Sequence, residues 1–254
     1  MLAVERRNLI LEKLQEEKKV IVSELSVQFN VSEETIRRDL DKLDKDGLAI
    51  KSYGGAVLNE NTNIDMPFNV RKKRNVTGKQ KIAEAIGDLI EDGDHVILDA
   101  STTAVFIAKA LKNKNRLTII TNSIEVLVEL SDVVGWNIIS CGGNLKAKYL
   151  AMVGTKAIEG LQGYYAEKAV ISCKGIDITK GVTDATEVFA DTKKAMIGSA
   201  KQHILAADHT KFDRVAFTKI CDMNLVDVVV TDKKPSQEWL DFFEHNKIEC
   251  VYPE

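Results

Sequence analysis

Apolar positions along the chain follow two rhythms. Over residues 1–58 they recur at helical spacing. Ile10, Leu11 and Leu14 form a stripe on a first helix, Leu25 and Phe29 share one side of a short second helix, and Ile36, Leu40 and Leu43 line a narrow face of a third. Ser23 reads as the N-cap of the second helix, with Val22 and Val27 at staple spacing. Ser32 reads as that of the third, with Val31 and Ile36 likewise placed. A tight turn at Asn30-Val31 joins these two helices, which predicts a helix-turn-helix. Residues 48–53 then alternate ahead of Gly54-Gly55, the pattern of a small β-wing. From Thr77 onward, short apolar runs at 95–99, 117–121, 136–140, 168–172, 203–207 and 226–231 alternate with helical segments. That alternation implies βαβ units and a mostly parallel sheet. Between the two zones, 59–76 is Asn-rich, contains Pro67 and ends in Arg71-Lys72-Lys73-Arg74, so it reads as a linker. The expected organisation is a helix-turn-helix head with its β-wing at 1–58, a linker at 59–76 and an α/β domain at 77–254.

Composition narrows this picture. With 254 residues, 44% of them hydrophobic and 29% charged, the chain can build two cores, which excludes a disordered or collagen-like protein. No apolar run approaches the roughly 18 residues of a membrane span. The start turns charged at Glu5-Arg6-Arg7 before a signal-peptide core can form, so a cytoplasmic protein is expected. Cys141, Cys173, Cys221 and Cys250 form no C-x-x-C pair, and His95, His203, His209 and His245 form no metal-ligand cluster. Neither a metal nor a cofactor is expected. The net charge of -3 argues against holding nucleic acid by bulk positive charge. Residues 1–58 carry ten Lys+Arg against eleven Asp+Glu, so any DNA contact must rest on local placement.

Placement on the third helix is informative. At 100° per residue, Glu34, Arg38 and Lys45 point away from the apolar face, Thr35, Arg37 and Lys42 flank them, and Asp39 turns inward to pair within the domain. Residues near the N-terminus of a recognition helix reach base edges. Arg37 and Arg38 suit guanine edges or phosphates, and Thr35 a phosphate or a thymine methyl. Ser32, Glu34 and Lys42 complete this candidate DNA face, with Lys51 and Tyr53 on the wing. Taken alone, Arg37-Arg38 could equally be solvated helix charges.

In the larger zone, hydroxyl-, amide- and glycine-rich turns follow the predicted strands: Asp99 with Ser101-Thr102-Thr103, then Asn122-Ser123, then Gly142-Gly143. Hydroxyls and free N–H groups at helix N-termini suit anions, and ligands of open α/β sheets sit beyond the carboxyl ends of the strands. Each turn singly could be plain helix capping; three in succession favour a pocket. Lys174, Asp208 and Lys211 follow later strands and offer cations and a hydroxyl acceptor, or a Lys211–Asp208 pair of purely structural meaning.

Several motifs resemble one family. Glu5-Arg6, Phe29-x-Val31-Ser32, Thr35-Ile36-Arg37-Arg38-Asp39-Leu40, Gly47 and Tyr53-Gly54-Gly55-Ala56 look like the DNA-binding head of the DeoR family of bacterial transcription regulators. The Ser-Thr-Thr, Thr-Asn-Ser, Gly-Gly, Lys174-Gly175-Ile176-Asp177 and Ala207-Asp208-x-x-Lys211-Phe212 segments resemble its sensor domain. The resemblance implies a winged helix-turn-helix head and a larger Rossmann-like sensor similar in fold to ribose 5-phosphate isomerase. It also implies operator DNA and a phosphorylated sugar or related metabolite as partners, and a repressor. Because one short helix reads few base pairs, a homodimer or higher homo-oligomer is expected. The alternative is a sugar-phosphate isomerase fused to a head. Against it, Lys174 stands where the isomerases carry a first carboxylate, only Asp177 survives as an acid, and no later Lys-Gly-Gly run follows. No enzymatic activity is therefore expected.

Overall fold

The computed structural model describes residues 1–59 and 66–253, the side chain of Gln15 excepted. The chain forms two compact units, Met1–Arg74 and Asn75–Glu254. The first contains α1 (Ala3–Glu17), β1 (Lys19–Ile21), α2 (Val22–Phe29), α3 (Glu33–Lys45), β2 (Ala49–Ser52), β3 (Gly55–Leu58) and α4 (Phe68–Lys73). The apolar stripes of α1, α2 and α3 meet in one core with Val20, Leu48, Ala56 and Leu58. Asn30 ends α2 in the left-handed conformation (φ 51°), and Ser32 then caps α3 by accepting from the Thr35 N–H at 3.2 Å. Strands β1, β3 and β2 pair antiparallel in that spatial order, so the expected hairpin is the outer part of a three-stranded wing.

Strand β1 accounts for the departures from the sequence pattern. It sets the start of α2 at Val22, whose N–H donates to the Gly54 carbonyl at 2.8 Å; Ile21, not Ser23, is the N-cap. The expected Val22–Val27 staple does not form, because Val27 is 83% exposed. Gly54 takes φ 80° at the hairpin turn, and a Cβ on Gly55 would overlap the Val20 carbonyl across the sheet. Of the expected linker, 60–65 lie outside the described residues. Its later part is not a loose connection: Phe68–Lys73 is helical, and Met66 and Val70 belong to the head's core. The apolar triplet Met66, Phe68, Val70 supplies the burial that a polar linker lacks.

The second unit contains, in order, α5 (Val76–Leu89), β4 (His95–Leu98), α6 (Thr102–Ala110), β5 (Thr118–Thr121), α7 (Ile124–Leu130), β6 (Asn137–Ser140), β7 (Asn144–Lys146), β8 (Ala151–Val153) and α8 (Thr155–Gln162). It continues with β9 (Ala166–Ile171), β10 (Gly175–Asp177), β11 (Gly181–Asp184), α9 (Glu187–Gly198), β12 (Ala200–Ala206), β13 (Thr218–Cys221), β14 (Val228–Val230), α10 (Gln237–Asn246) and β15 (Glu249–Val251). Seven strands form one sheet in the order β15-β14-β12-β9-β4-β5-β6, every neighbouring pair parallel. All six apolar runs noted above lie in this sheet. Strand order runs outward from β4 to β6 on one side and from β9 to β15 on the other. With right-handed crossovers, α6 and α7 therefore cover one face and α9 and α10 the other. The reversal between β4 and β9 is the point where such folds open a crevice. A hairpin of β7 and β8, and an antiparallel sheet of β10, β11 and β13, are added to this frame. No helix among the described residues is long and apolar enough to cross a membrane.

Candidate functional site

On the head, α3 buries Ile36, Asp39, Leu40 and Leu43, which leaves its other face outward. Asp39 is held inside by Arg6, whose Nε lies 2.5 Å away, with Arg7 at 3.4 Å, so it positions α3 on α1. The outward residues are Glu34, Arg37, Arg38 and Lys42, and the wing presents Lys51 and a fully exposed Tyr53 at its turn. Ser32 and Thr35 are tied to each other through their hydroxyls at 2.9 Å as well as through the cap. Each expected basic contact carries an acidic partner on the head: Arg37 with Glu33 at 2.5 Å, Arg38 with Glu34 at 3.3 Å, Lys42 with Asp46 at 3.0 Å, and Lys51 with Asp41. These pairs are solvent-exposed, where an ion pair contributes about 0–1 kcal/mol. A phosphate or guanine edge can therefore displace the acid at small cost.

In the second unit, parallel pairing brings the ends of β6, β5, β4, β9 and β12 to one edge, and with them Gly142-Gly143, Asn122-Ser123, residues 99–103, Lys174 and residues 208–211. Local bonds then divide the expected contacts into two groups. Asp99 is 1% exposed and fully engaged: Oδ1 accepts from the Ser101 N–H at 3.0 Å, and Oδ2 accepts from the Ser172 N–H at 2.9 Å. Ser101 and Ser123 cap α6 and α7 by accepting from the Ala104 and Val126 N–H groups at 3.0 and 3.2 Å. Thr102, Thr103, Asn122 and Ser123 are buried. Asn122 donates to the Met152 carbonyl at 2.9 Å, while its buried Oδ1 has no hydrogen-bond partner and would accept a hydroxyl. Gly143 (φ 110°) lies where a Cβ would come within 2.8 Å of Ala157 and the Val153 carbonyl, so its lack of a side chain serves packing against α8. Ser101, Gly142, Lys174, Asp208 and Lys211 are the partly exposed members. Asp208 accepts from the Thr210 N–H at 2.9 Å and from its hydroxyl, shaping the turn that carries Lys211.

Two further residues hold this edge together. Lys193 on α9 has its side chain largely buried (12% exposed), and its Nζ lies 2.6 Å from Asp184 Oδ2, 2.6 Å from the Ser172 carbonyl and 3.3 Å from Asp99 Oδ2. Burial would lower the ammonium's pKa, but the Asp184 and Asp99 carboxylates outweigh it and hold the group charged. Burial likewise pushes Asp184 up, and Lys193 overrides it, leaving the carboxyl below its ordinary range. The Cys173 thiol beside them is driven up to about 12 by burial. Hydrogen bonds to Asp184 and the Ser172 carbonyl, with the ion pair to Asp99, make Lys193 the group that fixes the ends of β4, β9 and β11. Asp177, the candidate isomerase acid, sits instead in the β10–β11 turn. Its Oδ1 accepts from the Thr179 N–H, the Thr179 hydroxyl and the Lys180 N–H at 2.8–2.9 Å.

The DeoR-like helix-turn-helix domain matches residues 6–62, and the DeoR C-terminal sensor domain matches residues 74–233. The chain belongs to the DeoR family. It is 39% identical over 251 residues to the HTH-type transcriptional regulator YulB of Bacillus subtilis, covering 99% of this chain and 97% of that protein. To the glycerol-3-phosphate regulon repressor of Escherichia coli it is 30% identical over 235 residues, 92% of this chain and 93% of that one. Ribose 5-phosphate isomerase A from Methanocaldococcus jannaschii shares 16% identity over 54% of this chain and 55% of that one, with a TM-score of 0.40. This DeoR-family chain is thus a helix-turn-helix regulator of transcription with a sensor domain. Sequence reasoning missed Asp184 and Lys193. The available signal was that Lys193 falls on the same α9 stripe as buried Ala190, Met196 and Ile197, where a lysine needs buried partners.

Proposed function

We propose that this DeoR-family protein represses genes of sugar metabolism by binding operator DNA through α3 and the wing. Its control is exerted by a phosphorylated sugar or related metabolite at the carboxyl edge of the sensor sheet. The observation that carries the reading is the common edge: parallel pairing gathers Ser101, Lys174, Asp208 and Lys211 beside the β4/β9 reversal. In this reading Lys174, Lys211 and the α6 N-terminus hold phosphate, and Asp208 and Asn122 accept hydroxyls. Asp99, Thr102, Thr103 and Ser123 shape the loops rather than touch the ligand. On the head, Arg37 and Arg38 exchange Glu33 and Glu34 for bases or phosphates, with Ser32, Glu34, Thr35, Lys42, Lys51 and Tyr53 around them.

The reading is non-enzymatic and cytoplasmic, and needs no cofactor. Asp177 is a poor candidate base: the hydrogen bond from the Thr179 side chain, with those of its turn, lowers its pKa below the ordinary value. Two heads acting in a homodimer or larger oligomer provide the length of operator that one α3 lacks.

Arg38→Ala tests the DNA arm. Loss of a base contact weakens operator binding by at least about 1 kcal/mol in a mobility-shift titration. Arg38 is exposed and helix-compatible with Ala, so folding is unchanged, and unaltered binding would remove it from the interface. For the sensor arm, thermal melts with glucose 6-phosphate, fructose 6-phosphate, ribose 5-phosphate and glycerol 3-phosphate should find one that stabilises the protein. That stabilisation should disappear in Lys174→Ala/Lys211→Ala; a panel without any response rejects the effector class.

A further inference from the structure

The turn that carries Asp208 and Lys211 is bonded to the first residue of the sensor unit through one buried carboxylate. Asp232 follows β14 at the carboxyl edge of the sheet and is 4% exposed. Its Oδ1 accepts from the His209 N–H at 2.7 Å, and its Oδ2 lies 2.9 Å from His209 Nδ1. A carboxylate only accepts, so Nδ1 carries the proton there. The Lys233 ammonium, 3.2 Å from Nε2, donates to the other ring nitrogen, which fixes the same tautomer. From a different direction, Asn75 Nδ2 donates to Asp232 Oδ2 at 3.0 Å. Asn75 is the residue directly after Arg74, the last of the head unit. It is held at φ 43° as the N-cap of α5. Gly78, in the first turn of α5, makes room for this arrangement: a Cβ there would overlap both Asn75 and Asp232.

We infer that Asp232 couples the 207–212 turn to the joint between head and sensor, so that a ligand displacing the turn alters the hold on Asn75. The physical reason is the cost of leaving a buried carboxylate unsatisfied. When the turn shifts, Asp232 either follows His209 and gives up Asn75, or keeps Asn75 and resists the shift. Either way the two ends do not move independently. A cap on α5 alone would not require His209, and a brace on the turn alone would not require Asn75.

The inference rests on the effector reading for its purpose, but its mechanics are testable without any effector. In the full chain, limited trypsinolysis followed by mass spectrometry reads the opening of the exposed bonds after Lys73 and Arg74. Losing one hydrogen bond's worth of restraint should speed cleavage about fivefold. Asn75→Ala and Asp232→Asn should both do this. His209→Ala, although remote in sequence, should do the same, and Asn75→Ala/His209→Ala should be no faster than Asn75→Ala alone. Wild-type cleavage in His209→Ala, or rates that simply multiply in the double variant, would overturn the coupling. A second arm uses whichever of the four sugar phosphates stabilises the wild type. Asn75→Ala should keep that stabilisation and basal operator binding while losing most of the effector's influence on the operator complex. An intact response in Asn75→Ala overturns the inference as well. If none of the four stabilises the wild type, the effector reading falls, and the trypsin arm still decides the coupling.

Discussion

Lys193→Met is the sharpest test of how the sensor's edge is held. Methionine fills much the same volume as the lysine stem, so the change leaves little cavity and removes mainly the charge. What remains is Asp184 and Asp99 facing the Ser172 carbonyl without the ammonium that lies 2.6 and 3.3 Å from them. Removing one partner of a buried ionic cluster costs about 3–5 kcal/mol. For a unit of 150–250 residues, each kcal/mol shifts Tm by about 2–4 °C, so the sensor should melt about 10 °C lower. Both tryptophans, Trp136 and Trp239, lie in the sensor, and Trp239 is packed edge-on against Phe212 at 5.1 Å. Tryptophan fluorescence in urea therefore follows this unit alone. The pH dependence gives the sign a second check. In the wild type, the depressed Asp184 pKa contributes stability that is present above the ordinary carboxylate range and is lost as pH falls through the lowered value. Without Lys193, burial raises that carboxyl instead, and its protonation relieves the variant. The deficit should thus be largest near pH 7.5 and shrink toward pH 5, and Asp184→Asn added to Lys193→Met should recover part of it. A variant within about 1 kcal/mol of wild type at pH 7.5, or a deficit that grows on acidification, would refute the reasoning.

Two other outcomes follow from buried groups. Asp39→Ala strands the Arg6 guanidinium inside the head and should cost about 3–5 kcal/mol, abolishing operator binding by unfolding the head while the tryptophan transition of the sensor stays put. Circular dichroism of the head transition checks this, and a fully folded variant would show that Asp39 does not anchor α3. Burial pushes Cys141 and Cys250 up to about 11 and Cys173 and Cys221 up to about 12, so all four are thiols at pH 8. Iodoacetamide at that pH should leave the native protein unlabelled by mass spectrometry over minutes and label it fully in urea. Rapid native labelling at Cys173 would mean that the edge is open.

What the sequence disclosed depended on how local the determining physics was. The outward Arg37 and Arg38 and the inward Ile36, Asp39 and Leu40 follow from helical angle alone, and so does the pairing of Asp39 within the head. Five of the six strands read in advance, β4, β5, β9, β12 and β14, lie inside the sheet with mostly buried carboxyl halves, which writes them as continuous apolar runs, and the edge strand β6 still carries Ile138-Ile139. Those that escaped notice lack such a signature. Strand β1 is only Lys19-Val20-Ile21, β15 is an edge strand beginning at a glutamate, and β10 and β11 are short, polar and opened by glycine. Their strand character owes much to partners that no local pattern reveals, as when β11 pairs with β13 far along the chain as well as with its hairpin neighbour β10. The same distinction runs through the site. The strand-end turns were legible because hydroxyls and glycines cluster locally. Lys193, Asp184 and Asp232 were not, since each acquires meaning only when the sheet brings together residues that no local pattern joins. The division of labour among the expected contacts has the same origin. Asp99 and Gly143 carry the motif chemistry of a ligand site, yet their bonds and packing are spent on the protein itself: Asp99 ties β4 to β9, and Gly143 lets α8 close in. A residue at a strand end that reads as ligand chemistry can thus be the reason the loops converge. At this edge Ser101, Lys174 and Lys211 stay partly exposed while buried residues such as Asp99 hold the strand ends together, which is why the proposed effector reading rests on the former and not on the latter.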